Sequence, residues 1–241
     1  MNFLQKNFKP LLTISLAMAL FSCNNNAEKK EEPAKSADTT VVVAPPAPAA
    51  FTPFDIVEIS HKVKDFDKWK IGFDQDSVAR KASGLDFIVI GRSDDNPNDL
   101  TIALKASDVQ KAKAFAADPR LKDVMEKNGV SSKPDVAYYH VLRFNAESKE
   151  KQWVLVTHRV KDFDAWQKVF DAEGTEARAS YGLIDVVLAR GVDDPNVVHL
   201  VFDIKDMAKA KARLNDPALK KLMMDGGVEG APTVRFYTSS E

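Results

Sequence analysis

Two histidines occur in the same nine-residue setting. The segment His-x-Val-Lys-Asp-Phe-Asp-x-Trp runs from His61 to Trp69 and again from His158 to Trp166. An imidazole near its ordinary pKa can take or give a proton around neutrality, which makes His61 and His158 the candidate acid–base groups. The other two histidines are unmatched: His199 aligns with Thr101 and His140 with Thr238. Trp69 and Trp166 offer aromatic walls to a ligand. The matched pairs Arg80 with Arg178 and Arg92 with Arg190 offer guanidinium groups able to hold a carboxylate. Each residue also has a plainer use. The histidines can hydrogen-bond near a strand end, the tryptophans can pack a core, and the arginines can form surface ion pairs.

The elements that must position these groups are themselves repeated. Aligning Val57 to Asp74 at an offset of 97, and Ala79 to Tyr139 at an offset of 98, gives about 34 identities. One inserted residue in the second copy accounts for the change of offset. The chain therefore reads as two copies of one unit.

Within a copy, Val57, Ile59, His61 and Val63 alternate with Ile56, Glu58, Ser60 and Lys62, the period-two pattern of a strand with one wetter face. Val154, Val156, His158 and Val160 repeat it. Asp65 and Asp162 stand where a helix N-cap belongs, and Asp67 and Asp164 fall in the first turn, where the helix dipole favours negative charge. The stripes Phe66, Trp69, Phe73 and Phe163, Trp166, Phe170 predict one apolar helix face, closed at Gly84 and Gly182. Leu85 to Arg92 and Leu100 to Leu104 flank an Asp-x-Pro-Asn turn and read as a hairpin, as do Leu183 to Arg190 and Val198 to Ile204. Asp108 and Asp206 cap a second helix, which Asp118-Pro119 and Asp216-Pro217 restart. Last strands follow at Val136 to Phe144 and Val234 to Thr238.

Strand, helix, strand, strand, helix, strand is the split βαβ order, with an antiparallel sheet and helices on one face. The fold class is α+β: two tandem ferredoxin-like βαββαβ units at 54–144 and 153–241, joined by a polar linker at 145–152. One sheet face in each unit is left bare of helices and needs a second layer. The other copy supplies it, giving an intramolecular pseudo-dimeric α/β barrel and a monomer.

The amino terminus points to export. Lys6 and Lys9 precede an apolar run from Leu11 to Phe21, too short to span a bilayer as a helix, so 1–22 reads as a signal peptide. It ends Leu20-Phe21-Ser22-Cys23, which resembles a bacterial lipoprotein cleavage box, and Cys23 is the sole cysteine. Lipidation of Cys23 would anchor the protein to a membrane. Asn24, in place of the aspartate of inner-membrane retention, favours the outer membrane of the cell envelope. Residues 23–53 hold five of the twelve prolines and no glycine, and read as a disordered tether.

The unit resembles the dimeric α/β-barrel superfamily, whose best-known branch comprises proteins like the antibiotic-biosynthesis monooxygenases. The resemblance rests on the element order over 54–238 and on four motifs: His-x-Val-x-Asp-Phe-Asp-x-Trp, Asp-x-Pro-Asn, Asp-Pro-x-Leu, and Gly-Val before Pro. It looks closest to poorly characterised members sometimes labelled cyclases. The resemblance implies a barrel of paired ferredoxin-like units. It leaves chemistry open, because its members include cofactor-free oxygenases, haem-handling enzymes, isomerases and binding proteins.

Absences narrow the field. A formal net charge of −1, with no basic run interleaved with aromatics, argues against nucleic acid. There is no phosphate-cradling glycine loop, no Gly-x-Ser-x-Gly elbow, no His-Glu-x-x-His and no cysteine in the globular part. The Asp-x-Pro-Asn loops have too few carboxylates for a calcium site, and no metal is expected. The leading expectation is a lipid-anchored barrel that binds a small, largely apolar or aromatic molecule without a cofactor. The alternatives are a cofactor-free oxygenase or isomerase with His61 or His158 as base, haem on one of those histidines, and a protein-interaction module.

Overall fold

Aspartates open six of the eight described helices, each by the same contact. Asp65 accepts a hydrogen bond from the Lys68 amide at 3.1 Å, and Asp162 accepts one from Ala165 at 2.7 Å. Asp108, Asp118, Asp206 and Asp216 cap the later helices likewise, each satisfying an amide that the helix cannot. The computed structural model describes residues 51–240; the signal segment, Cys23 and nearly all of the tether lie outside the described residues.

The first half consists of β1 (Phe54–Lys62), α1 (Phe66–Gln75), α2 (Ser77–Ala82), β2 (Leu85–Ser93), β3 (Asp99–Ala106), α3 (Val109–Ala116), α4 (Pro119–Lys127) and β4 (Asp135–Phe144). The second half follows the same order: β5 (Gln152–Val160), α5 (Phe163–Glu173), α6 (Thr175–Ser180), β6 (Leu183–Gly191), β7 (Val197–Ile204), α7 (Met207–Leu214), α8 (Pro217–Asp225) and β8 (Val228–Ser240). Two elements depart from expectation. The first helix of each half is broken, at Asp76 and at Gly174. The break at Gly174 has φ of +81°, a conformation that glycine adopts without a steric penalty. The inserted residue of the second copy lengthens α5 by one at this break. The last strand is also far longer than Val234 to Thr238. Its pairing with β5 shifts register between Thr157 and Arg159, and Pro232, which has no amide hydrogen to donate, falls in the skipped stretch.

Every strand finds two antiparallel neighbours, in the order β1-β3-β2-β8-β5-β7-β6-β4 and back to β1. Each half contributes four adjacent strands. The halves meet where Ile90 to Ser93 pair with Tyr237 to Ser240, and where Tyr139 to Phe144 pair with Val187 to Gly191. Closure leaves no strand edge unpaired.

The two faces of this closed sheet have different fillings. Outward, Val57, Ile59 and His61 meet Trp69, Phe73 and Ala112 of the covering helices, and Val156, His158 and Leu200 meet Trp166, Phe170 and Ala210. Inward, the face that reads as wetter in β1 (Ile56, Glu58, Ser60) points into the barrel. It joins Tyr139, Val141, Trp153, Leu155 and Tyr237 there. The polar residues of that face signal a lumen rather than bulk solvent.

Because β2 and β4 of the first half are capped only by the second half, residues 51–146 alone would expose two sheet edges and the lumen face. That excised segment is expected to self-associate or aggregate, and the full chain is expected to sediment as a monomer. Analytical ultracentrifugation of both makes the comparison.

Candidate functional site

His61 projects from β1 toward the helices, not into the space between the two half-sheets. It is 5% exposed, and its ring meets Trp69 edge-on with centroids 5.5 Å apart. Neither ring nitrogen has a hydrogen-bond partner among the described residues. Asp65, four residues on, spends its carboxylate on the Lys68 amide. A neutral imidazole carries one donor and one acceptor, and leaving each unmet costs about 1–3 kcal/mol. Burial lowers the His61 pKa to about 4, so the ring is uncharged at neutral pH.

Beside His61 lies a cavity of about 330 Å³ between the sheet and the helices of the first half. Its wall is mostly apolar: Val57, Ile59, Trp69, Phe73, Ile102, Leu104, Phe115 and Met125 contribute, while Arg80, Asp76, Asn128, Lys122 and Lys133 supply polar atoms. Gly72 is required here, since a Cβ on it would lie 2.2 Å from the Asn128 side chain.

The second half holds the same constellation in a smaller space. His158 is also 5% exposed, edge-on to Trp166 at 5.5 Å, unpartnered at both nitrogens, and lowered to about 4 by burial. Its cavity is only about 80 Å³. The difference follows from side chains: Phe202, Leu214 and Leu222 stand where the first half has Leu104, Ala116 and Val124. Arg213 replaces Phe115 and binds Glu173 at 2.7 Å.

The candidate arginines divide. Arg80 and Arg178 are buried, line the two helix-side cavities, and lie over Phe73 and Phe170 at 3.6 and 3.9 Å. Arg92 and Arg190 line neither helix-side cavity. Arg92 donates to the Pro97 carbonyl at 2.8 Å and covers Phe66, and Arg190 lies over Phe163. Their place at the strand end sets them against the first helix turn. Trp69 and Trp166 do both jobs weighed for them, packing the core and lining a cavity.

Sequence reasoning missed a third place, inside the barrel. A cavity of about 240 Å³ is lined by Glu58 and His199 among apolar residues such as Ile56, Val141 and Trp153. His199, 1% exposed, stacks on Tyr139 at 4.1 Å, and its Nε2 lies 3.6 Å from the Glu58 carboxylate. Burial raises Glu58 to about 8 and lowers His199 to about 3, so near neutrality both are uncharged. Arg235 opposes the first shift and Asp135 adds to it. The equivalents of Glu58 and His199 are Leu155 and Thr101, so matching the copies passed over this pair. The signal that could have found it is a charged residue on the inner face of a strand.

No protein-family model matches the chain, and no curated protein matches it. Solved structures are similar to it. A proposed monooxygenase from Lactobacillus acidophilus NCFM superposes with a TM-score of 0.50 at 18% identity, over 77% of this chain and 94% of that one. A proposed monooxygenase from Fusobacterium nucleatum subsp. nucleatum gives 0.50 at 13%, over 78% and 93%. An anthrone oxidase-like protein gives 0.52 at 13%, over 78% and 92%. At these identities the likeness is one of fold. It agrees with the resemblance carried by the motifs.

The buried titratable groups set an expected pH profile of stability. His61, His158 and His199 have lowered folded pKa values, so their contribution is present above about 6.5 and is lost as pH falls toward 4. Glu58 has a raised one, so its contribution is present below about 4.5 and is lost as pH rises through 8. Thermal midpoints are expected to fall on both sides of a maximum near pH 6–7. Glu58→Leu, which copies the second half, should flatten the alkaline limb alone.

Proposed function

We propose that this chain is an envelope lipoprotein whose barrel binds a small, largely apolar molecule in the helix-side cavity of its first half. One observation carries the ligand: the same fold unit, present twice, is filled in the second half and hollow in the first. About 330 Å³ against about 80 Å³ separates them, although core positions common to both are packed alike. Pockets of a few hundred Å³ with apolar walls and a few convergent polar groups are the usual form of small-molecule sites. The unpartnered His61 nitrogens give a ligand one hydrogen-bonding contact and a reason to displace a bare apolar filling.

The two halves are read as copies of one duplicated unit, standing in for the two subunits of a dimeric barrel. Cys23 as lipid acceptor and the tether to residue 53 would hold that barrel off the membrane surface. Among the described residues no helix is long and apolar enough to cross a membrane. In this reading anchoring rests on Cys23.

A neutral imidazole near pKa 4 is a weak general base, which favours binding over proton abstraction by His61. Haem is the second reading, because a neutral, unpartnered imidazole on the wall of the first-half cavity is the form that ligates iron. A Soret band on titration with haemin, lost in His61→Ala, would move the assignment there.

Two measurements test the main reading. Leu104→Phe with Ala116→Leu rebuilds the second-half filling and is expected to weaken an apolar ligand at least about tenfold, or about 1.4 kcal/mol, by calorimetry. Unchanged affinity would place the ligand elsewhere. Cys23→Ser is expected to shift the full-length protein from the membrane to the soluble fraction, and retention on the membrane would remove the lipid anchor.

A further inference from the structure

The matched arginines differ in one respect that the cavity volumes do not explain. In the second half, Arg178 is saturated on both edges. Its Nε and Nη2 bind the two Asp185 oxygens at 2.8 and 2.7 Å, and its Nη1 donates to the Phe170 carbonyl at 2.8 Å and faces Glu173 at 3.4 Å. In the first half, Arg80 keeps only the second set. Its Nη1 donates to the Phe73 carbonyl at 2.6 Å and faces Asp76 at 3.7 Å. The position of Asp185 is taken by Phe87, and among the described residues the Nε and Nη2 edge of Arg80 has no hydrogen-bond acceptor. Arg80 is 7% exposed, yet its Nε and Nη2 are not among the fully buried unpartnered atoms, so that edge meets space that solvent or a ligand can enter.

Arg80 stands on the wall of the hollow space, with Lys122 and Lys133 also on that wall and Asp76 as its one carboxylate. Planar, forked recognition of a carboxylate is what a guanidinium does best, and the other half shows that geometry realised by Asp185. We propose that Arg80 holds the carboxylate of a bound monocarboxylic acid through the same Nε and Nη2 fork by which Arg178 holds Asp185, with the apolar body of the acid filling the cavity. This inference rests on the ligand site proposed above and adds the chemical class of the ligand.

The test pairs acids with their neutral amides. 2-Naphthoic and decanoic acids, and 2-naphthamide and decanamide, are titrated into the full chain by calorimetry at pH 7, where both acids are ionised. At least one acid is expected to bind roughly tenfold or more tighter than its own amide. Phe87→Asp supplies Arg80 with an internal carboxylate at an exposed position. It is expected to abolish the preference for the acid while leaving the weaker amide affinity in place. Arg80→Gln should do the same, and because it alters a buried residue its thermal midpoint is measured alongside. Equal binding of acid and amide, or a preference that survives Phe87→Asp, overturns the carboxylate assignment but leaves the cavity site standing. Absence of binding by all four probes overturns both. Binding unaffected by Leu104→Phe with Ala116→Leu also overturns both, by placing the ligand outside this cavity.

Discussion

Closure of the sheet is the constraint on which the rest depends. A four-stranded ferredoxin-like sheet has two bare edges and one bare face, and neither half can satisfy all three alone. The pairings of β2 with β8 and of β4 with β6 meet both edges at once and create the lumen as a by-product. Side chains on the inner face are thereby sealed among one another. Those on the outer face depend on their own helices, which are held locally by aspartate caps and by the aromatic stripe.

That division explains why the helix-side cavities can differ. Each is formed within one half, by β-strands that closure holds fixed and by helices that only their own packing holds down. Exchanging Leu104, Ala116 and Val124 for the larger Phe202, Leu214 and Leu222 fills the space without disturbing the strand pairing. The replacement of Phe115 by Arg213 adds an ion-pair network in the second half, with Glu173 bridging Arg213 and Arg178. In the second half Arg178 is saturated by its neighbours, although His158 stays unpartnered. The first half retains unpartnered atoms on His61 and an open guanidinium edge on Arg80.

Local features were legible because their causes are local. Asp65, Asp108 and Asp118 cap helices because their carboxylates reach amides two or three residues on, and Gly84 ends a helix because it accepts φ of +73°. The repeat made each such reading twice. What remained hidden depends on residues brought together across the sheet. His61 shares its parity with Val57 and Ile59, but alternation does not say whether that side meets helices or a lumen. The open edge of Arg80 is defined by Phe87, a strand residue whose importance is visible only against Asp185. Glu58 and His199 escaped for a different reason: a search for what two copies share is blind to what only one of them has.

The lumen pair draws its meaning from that last point. Near the axis of a barrel made from two identical chains, every residue faces its own twin, so a buried glutamate brings a second and a histidine brings a second. One polypeptide that encloses the whole barrel is free of this rule. It can set a single carboxyl beside a single imidazole, with leucine and threonine at the equivalent positions of the other half, and so hold one ionisable couple where a symmetric assembly would have to bury two.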